Sequence, residues 1–132
     1  MLALLPVGCG AGTSSPESVV RAWSRALNAG DDDGAADLFA RGAEVVQGDR
    51  VLHLHTHAEA RDFNRALPCS GRIVALAVHG DEVKATFVLG DRPSSICDGP
   101  GEKAAALFRI RGGKIVLWHQ VAVPPETGEQ TA

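Results

Sequence analysis

Apolar residues recur at helical spacing early in the chain and at alternate positions in its second half. Ser15, followed by Pro16 and Glu17, predicts a helix start: a hydroxyl caps free N–H groups, proline has no N–H, and an acid suits the positive helix end. One apolar face follows, and the helix ends before Gly30. The residues of that face are Val19, Val20, Trp23, Ala26 and Leu27.

Two shorter helices and a short hairpin are predicted next. The second helix has the apolar residues between Ala35 and Phe39 and ends near Gly42. Strands over residues 44–46 and 51–55 then flank a turn at residues 47–50. Thr56 and Glu59 form a capping box, which predicts a third helix that stops before Pro68.

The rest of the chain changes to the two-residue period of strands. Residues 72–79 and 82–89 are joined by Gly80-Asp81, and residues 104–111 and 114–121 are joined by Gly112-Gly113. Both dipeptides are typical of tight hairpin turns. A long loop, residues 90–103, separates the two hairpins. Helices followed by a meander predict an α+β fold, with three N-terminal helices packed on one face of a curved, mainly antiparallel sheet.

The first fourteen residues, MLALLPVGCGAGTS, are apolar or small and carry no charged side chain. They suggest the remnant of an export signal. The segment around Cys9 resembles a bacterial lipoprotein signal, in which the cysteine becomes the lipidated N-terminus; a disordered linker with an unrelated cysteine is the alternative. We therefore divide the chain into a leader (1–14), one domain (15–123) and a flexible tail (124–132), and expect export to the bacterial cell envelope or the medium.

Composition fits one globular domain of 132 residues, with 45% apolar residues and a net charge of −3. No basic stripe indicates nucleic acid, and a lipid anchor is the one expected link to a membrane. Cys69 and Cys97 form an even pair in a chain expected to be exported, which favours a disulfide, although two separate buried thiols would also fit. No spacing of Cys and His suggests a metal site or a cofactor.

The order of elements between Ser15 and Ala122 resembles the nuclear-transport-factor-2-like superfamily. Residues 19–39 are similar to the start of a bacterial ketosteroid isomerase, and residues 108–116 to its final hairpin. The superfamily includes ketosteroid isomerases, SnoaL-like polyketide cyclases, limonene epoxide hydrolases and many non-catalytic binders. The resemblance implies a cone-shaped, cystatin-like fold around a central cavity.

The resemblance also implies which positions would carry isomerase chemistry. A tyrosine and a protonated aspartic acid would stabilise an oxyanion, and an aspartate would move the proton. Trp23, Gln47 and Ala106 occupy these positions, and none of them can transfer a proton at neutral pH. Ketosteroid isomerase activity is therefore not expected. The acid and arginine groups of the epoxide hydrolases are not evident either, since the long strands carry chiefly Glu82 and Arg109.

Histidines are the remaining candidates for chemistry. His53, His55 and His57 alternate, so the first two share a strand face, but the helix predicted at Thr56 turns His57 away from a common metal ion. His119 stands among apolar residues of the last strand, sharing a face with Ile115 in a regular alternation. His55 and His119 are the weak candidates for a catalytic base; a polar surface and a packed core position are the plainer interpretations.

Side chains from helices and strands are expected to fill or line the cavity. With polar anchors included, the expected pocket consists of Trp23, Phe39, Gln47, His55, Phe63, Phe87 and Phe108. We expect a non-catalytic domain that binds a small apolar ligand or takes part in an interaction. The alternatives are an isomerase-like or hydrolase-like enzyme with a pocket histidine, and a module that forms homodimers through its sheet.

Overall fold

Three helices and a six-stranded sheet make up the computed structural model, which describes residues 14–125. The helices are α1 (Pro16–Asn28), α2 (Asp32–Asp37) and α3 (His57–Ala66). The strands are β1 (Phe39–Gln47), β2 (Arg50–Leu54), β3 (Ser70–His79), β4 (Glu82–Gly90), β5 (Lys103–Arg111) and β6 (Lys114–Val121). The sheet is curved and unclosed, in the order β2-β1-β6-β5-β4-β3, and only β1 and β6 run parallel. The α+β prediction is confirmed.

The helix starts and hairpin turns lie where the sequence predicts them. Ser15 Oγ accepts a hydrogen bond from Ser18 N at 3.1 Å, and Thr56 Oγ1 accepts one from Glu59 N at 3.1 Å. The Glu59 carboxylate binds the N–H of His55, one residue before the cap, at 2.7 Å. Each two-residue hairpin turn contains glycine with positive φ, at positions 48, 80, 112 and 113, a conformation that glycine adopts without steric cost.

The boundary after the second helix differs from the prediction. Phe39 already begins β1, so the expected helix end near Gly42 is wrong. Pairing with β6 outweighs local helix propensity here: Phe39 is aligned with Ile115, and Ile115 N donates to Leu38 O at 2.8 Å. Gly42 has φ +83°, and the register against β6 shifts between Phe39 and Glu44. Glycine thus allows an irregularity that bends β1.

A bulge changes which residues of β6 face the helices. The pairing of β5 with β6 shifts between Arg109 and Ile110, which leaves Val116 as an extra residue in β6. Ile115 is fully buried under the helices, whereas His119 lies on the outer face of the sheet, beside Leu107 of β5. The expectation that Ile115 and His119 share a face is therefore wrong, because a bulge interrupts the two-residue alternation.

The core lies between the helices and the inner face of the sheet. Its largest fully buried side chains are Phe108, Ile115, Val20, Val45, Val83 and Asn64. Within residues 14–125, none of the helices has the length and apolar character needed to cross a membrane. Cys9 and its leader fall outside the described residues, as does most of the expected tail.

Candidate functional site

A partly enclosed cavity of about 260 Å³ lies between α1, the inner face of the sheet and the segment that joins α3 to β3. The strands contribute the residues that form its floor: Gln47, Phe87, Leu89, Ala104, Ala105, Ala106, Trp118 and Gln120. The remaining wall and rim are formed by Trp23, Leu27, Leu67, Pro68, Cys69, Ser70, Gly71 and Asp98. This mixture of apolar walls and a few polar groups is typical of a small-molecule site.

The indole N–H of Trp23 is satisfied by a hydrogen bond within the protein, so it needs no acceptor on a ligand. Its Nε1 donates to Asn64 Oδ1 at 2.7 Å, and Asn64 is fully buried. Asn64 Nδ2 in turn donates to the Ala60 carbonyl at 2.8 Å. The Trp23 ring meets Phe87 and Phe108 edge to face, with centroids 6.0 and 5.3 Å apart. Trp23 is thus a fixed wall of the cavity.

Trp118 differs from Trp23 in the pairing of its indole N–H. Its side chain is 6% exposed and lines the cavity, but its Nε1 has no hydrogen-bond partner among residues 14–125. A buried donor without an acceptor costs about 1 to 3 kcal/mol. Sequence reasoning missed Trp118 as a pocket residue, because the bulge at Val116 obscures which face of β6 it occupies, and no sequence signal shows an unpaired indole.

Close approach of α1 to the start of β3 forms one side of the cavity. Ser24 Oγ and Asn28 Nδ2 both donate to the Gly71 carbonyl at 3.0 Å, and Gly71 N donates to Asn28 Oδ1 at 2.9 Å. A Cβ at Gly71 would lie 3.0 Å from the ring of Phe87. Glycine is therefore needed here for close contact, although its φ is not positive.

Asp98 lies at the edge of the cavity and belongs to residues 91–102, which we call the rim loop. The expected disulfide joins Cys69, just before β3, to Cys97 in the rim loop, with Cα atoms 4.5 Å apart. Asp98 Oδ1 lies 3.5 Å from Cys69 Sγ. These three residues are close enough to hold a metal ion, but thiolates bind metals and disulfide sulfurs do not.

Arg92 anchors the rim loop to the helices from a buried position. Its side chain is 1% exposed. Nη1 donates to the Asn64 carbonyl, in the last turn of α3, at 2.7 Å and to the Leu67 carbonyl, just after that helix, at 2.8 Å. Nη2 donates to Asp32 Oδ1 at 2.5 Å. Ser95 Oγ adds a bond of 3.0 Å to the Pro68 carbonyl. The role of Arg92 could not be predicted from the sequence, because an arginine in a polar loop gives no sign of burial.

The three positions that the resemblance marks for isomerase chemistry surround one cavity. Trp23, Gln47 and Ala106 all lie on its wall. Ala106 is paired with Gln120 across β5 and β6, and Gln47 is the last residue of β1. Among the described lining residues, Asp98 is the one with an acidic or basic side chain, and it is exposed on the rim. This arrangement suits binding better than proton transfer.

Four of the seven expected pocket residues lie elsewhere. Phe63 and Phe108 are packed in the core, and Phe39 meets Phe63 with ring centroids 5.9 Å apart. His55 is exposed beyond the end of β2. The correction has a physical cause: Phe63 and Phe108 pack against the helices in the core, and Phe39 borders a separate cleft of about 400 Å³. Trp23, Gln47 and Phe87 do line the cavity.

The other histidines do not reach the cavity either. His53 and His55 are exposed, with stacked rings 6.1 Å apart. His57, at the start of α3, places Nε2 2.8 Å from Asp37 Oδ1 in a separate cleft of about 400 Å³. His119 lies on the outer face of β6. None of the candidate bases therefore faces the volume where a substrate would sit.

The outer face of the sheet carries an ion pair among apolar side chains. Arg109 Nη2 donates to Glu82 Oε2 at 2.6 Å across β5 and β4. This hydrogen bond is the main cause that raises the pKa of Arg109 above its ordinary value. The two charged residues singled out on the long strands thus bind each other, away from the cavity.

Sequence comparison gives a family match that covers most of the domain. The sequence model of the SnoaL-like domain matches residues 20–118. No curated protein matches the chain.

Solved structures similar to this one share its fold at low sequence identity. An NTF2-like protein of unknown function from Cytophaga hutchinsonii has a TM-score of 0.68 and 12% identity, over 85% of this chain and 93% of its own. A hypothetical protein with a ketosteroid isomerase-like fold from Catenulispora acidiphila, in complex with trimethylamine, has a TM-score of 0.63 and 20% identity, over 83% and 87%. A candidate polyketide cyclase from Pseudomonas putida has a TM-score of 0.61 and 19% identity, over 84% and 93%.

Proposed function

Because the chain belongs to the SnoaL-like domain family of the nuclear-transport-factor-2-like superfamily, we propose that it is an exported, non-catalytic domain that binds a small, mostly apolar molecule. The observation that carries this proposal is the cavity of about 260 Å³ beside Trp23 and Trp118, with no histidine, lysine or arginine among its described lining residues. Binding requires an apolar enclosure and a few hydrogen bonds, whereas proton transfer requires a titrating group in reach of the substrate.

Export is supported by two features that do not depend on each other. The leader around Cys9 resembles a lipoprotein signal, and the Cys69–Cys97 disulfide is typical of oxidising compartments. We place the protein at the bacterial cell envelope, lipid-anchored, or outside the cell. Recovery of the protein in the cytoplasmic fraction, with Cys69 and Cys97 as free thiols, would contradict this placement.

Filling the cavity tests the binding function directly. Ala106→Phe puts a phenyl ring into the cavity from its floor, and we expect it to weaken binding of the uncharged fluorescent dye prodan by roughly tenfold or more, because the ring takes the ligand's volume. Dye titration by fluorescence gives the affinity. Overpacking costs about 1 to 3 kcal/mol, so thermal unfolding is recorded to show that the variant is folded.

The control for this variant is Ala77→Phe, which adds the same ring at an exposed position of β3 outside the cavity. Equal dye binding by the wild type and Ala106→Phe would exclude the cavity as the site.

The same two variants also test the alternative that the protein is an enzyme. Turnover of an epoxide or a polyketide-like substrate by the wild type, abolished by Ala106→Phe, would replace the non-catalytic proposal.

Self-association through the outer sheet face is a second part of the proposal. Val51 is 52% exposed there, and Val46, Leu107, Leu117 and Val121 are half-buried around it. We expect light scattering to give twice the chain mass for the wild type, and a single chain mass for Leu117→Arg, because a charge on this face opposes its burial. Ala58→Arg, at an exposed position of α3, is the control that should leave the dimer intact. A monomeric wild type at high concentration contradicts the dimer.

A further inference from the structure

A single charged side chain borders the cavity, and that side chain is an acid. Asp98 of the rim loop lies among the lining residues, which include no lysine, arginine or histidine in the described part of the chain. The rim loop contains one cation, Arg92, which is 1% exposed and paired with Asp32. Its charge is therefore already balanced, and the edge of the cavity presents a negative group to an entering ligand.

The carboxylate of Asp98 is exposed to water and has no cationic partner within the protein. Its Oδ1 lies 3.5 Å from Cys69 Sγ, and Cys69 also lines the cavity, which places the carboxylate at the cavity edge. That sulfur belongs to the disulfide and has no proton to donate. Within residues 14–125, neither a hydrogen-bond donor nor a cation is otherwise bound to this carboxylate. A ligand cation at the edge would therefore be its first partner.

Away from this edge the cavity presents mainly apolar surface. Leu27, Leu67, Phe87 and Leu89 are among its lining residues. An ammonium group among them would lose its hydration without gaining a counter-ion, which strongly disfavours its burial. At the edge the same group keeps water and lies beside a carboxylate. An amphiphilic cation should therefore place its apolar part inside and its charge at the edge, as lysine side chains do at protein surfaces.

We propose that the cavity prefers amphiphilic cations, which have an apolar body that fits the cavity and one ammonium group that Asp98 holds at the edge. This inference rests on the ligand-binding function proposed above and gives it a ligand class. Asp98 is the specificity-determining residue. Because the ion pair is exposed to water, it strengthens binding by roughly threefold, and an anion at the same place weakens binding by a similar factor.

Three probes that share one ring system and differ in charge test the proposal: 2-naphthylmethylamine, 2-naphthalenemethanol and 2-naphthoate. At neutral pH they carry an ammonium, a hydroxyl and a carboxylate group. Titration of the purified protein is followed by NMR of the backbone amides, and shifts at residues 104–106 show that a probe occupies the cavity. We expect the amine to bind roughly threefold more tightly than the alcohol, and the alcohol roughly threefold more tightly than the carboxylate.

Two variants with the same change of charge separate the local effect of Asp98 from the net charge of the protein. Asp98→Asn keeps the shape of the side chain, so the amine should lose its advantage while the affinity for the alcohol stays the same. Asp62→Asn, at an exposed position of α3 outside the cavity, should keep the preference. Added sodium chloride should reduce the preference in the wild type and have no such effect in Asp98→Asn. Thermal unfolding shows that both variants are folded.

The outcomes distinguish this inference from the binding function on which it rests. Equal affinity of the wild type for the three probes, or tightest binding of 2-naphthoate, would overturn the preference for cations and leave a binding cavity in place. No binding of any probe would overturn the inference together with the proposed function. An amine preference that is unchanged in Asp98→Asn would show that Asp98 does not determine the specificity.

Discussion

Replacement of Arg92 by methionine is expected to lower the free energy of unfolding by about 3 to 5 kcal/mol. The methionine keeps most of the volume but removes every donor of a guanidinium that is 1% exposed. The Leu67 carbonyl and the Asp32 carboxylate would then lose this partner in a largely buried region, and the Asn64 carbonyl would keep only the N–H of Leu67. Removal of one member of a buried ion pair leaves the other charge buried without a partner. The loss of unfolding free energy is therefore larger than for a surface ion pair.

Chemical denaturation followed by tryptophan fluorescence measures this loss. The control is Arg65→Met, an equal change at an exposed position of α3, which should alter stability by less than about 0.5 kcal/mol. In the Arg92→Met background, Asp32→Asn should be milder than in the wild type, because the partner of the carboxylate is already gone. A loss below about 1 kcal/mol in Arg92→Met would show that the rim loop is not anchored through this side chain.

Removal of the disulfide is expected to cost about 3.5 kcal/mol. The bond joins residues 28 apart in the chain, and in the chain-entropy model a loop of this length restricts the unfolded state by about that amount. Cys69→Ala combined with Cys97→Ala tests it by thermal or chemical unfolding. Both proteins carry Cys9→Ser so that the third cysteine cannot form other disulfides.

Reduction of the parent protein by dithiothreitol provides the matched control. The reduced parent should unfold at nearly the same denaturant concentration as the double alanine variant, because both lack the same loop closure. A double variant as stable as the oxidised parent would show that the bond contributes nothing. Titration of thiols under denaturing conditions should find Cys69 and Cys97 unreactive in the oxidised parent.

Local sequence signals predicted the elements well where residues close together in the sequence form the hydrogen bonds. The caps at Ser15 and Thr56 and the turns at Gly80 and Gly112 are short-range features, and the structure has each at its predicted place. The boundary at Phe39 was misjudged because a strand partner far along the chain decides it. Local propensity cannot show a parallel pairing between the first and the last strand.

The candidate site was predictable only in part, for a related reason. Trp23, Gln47 and Phe87 could be placed on the cavity from the resemblance and the strand period. Trp118 and Arg92 could not, because their importance depends on which polar atoms lack or find a partner after folding. The face of His119 was predicted wrongly, because one extra residue at Val116 interrupts the alternation.

The anchoring of the rim loop has a consequence for the kinetics of ligand exchange. Arg92, Ser95 and Cys97 fix this loop to α2, to α3 and to the segment before β3. A ligand then meets an entrance that is already formed, and association incurs little further loss of loop entropy. Association rates should therefore vary little among ligands that fit the entrance, and their differences in affinity should arise mainly from the time that each remains bound.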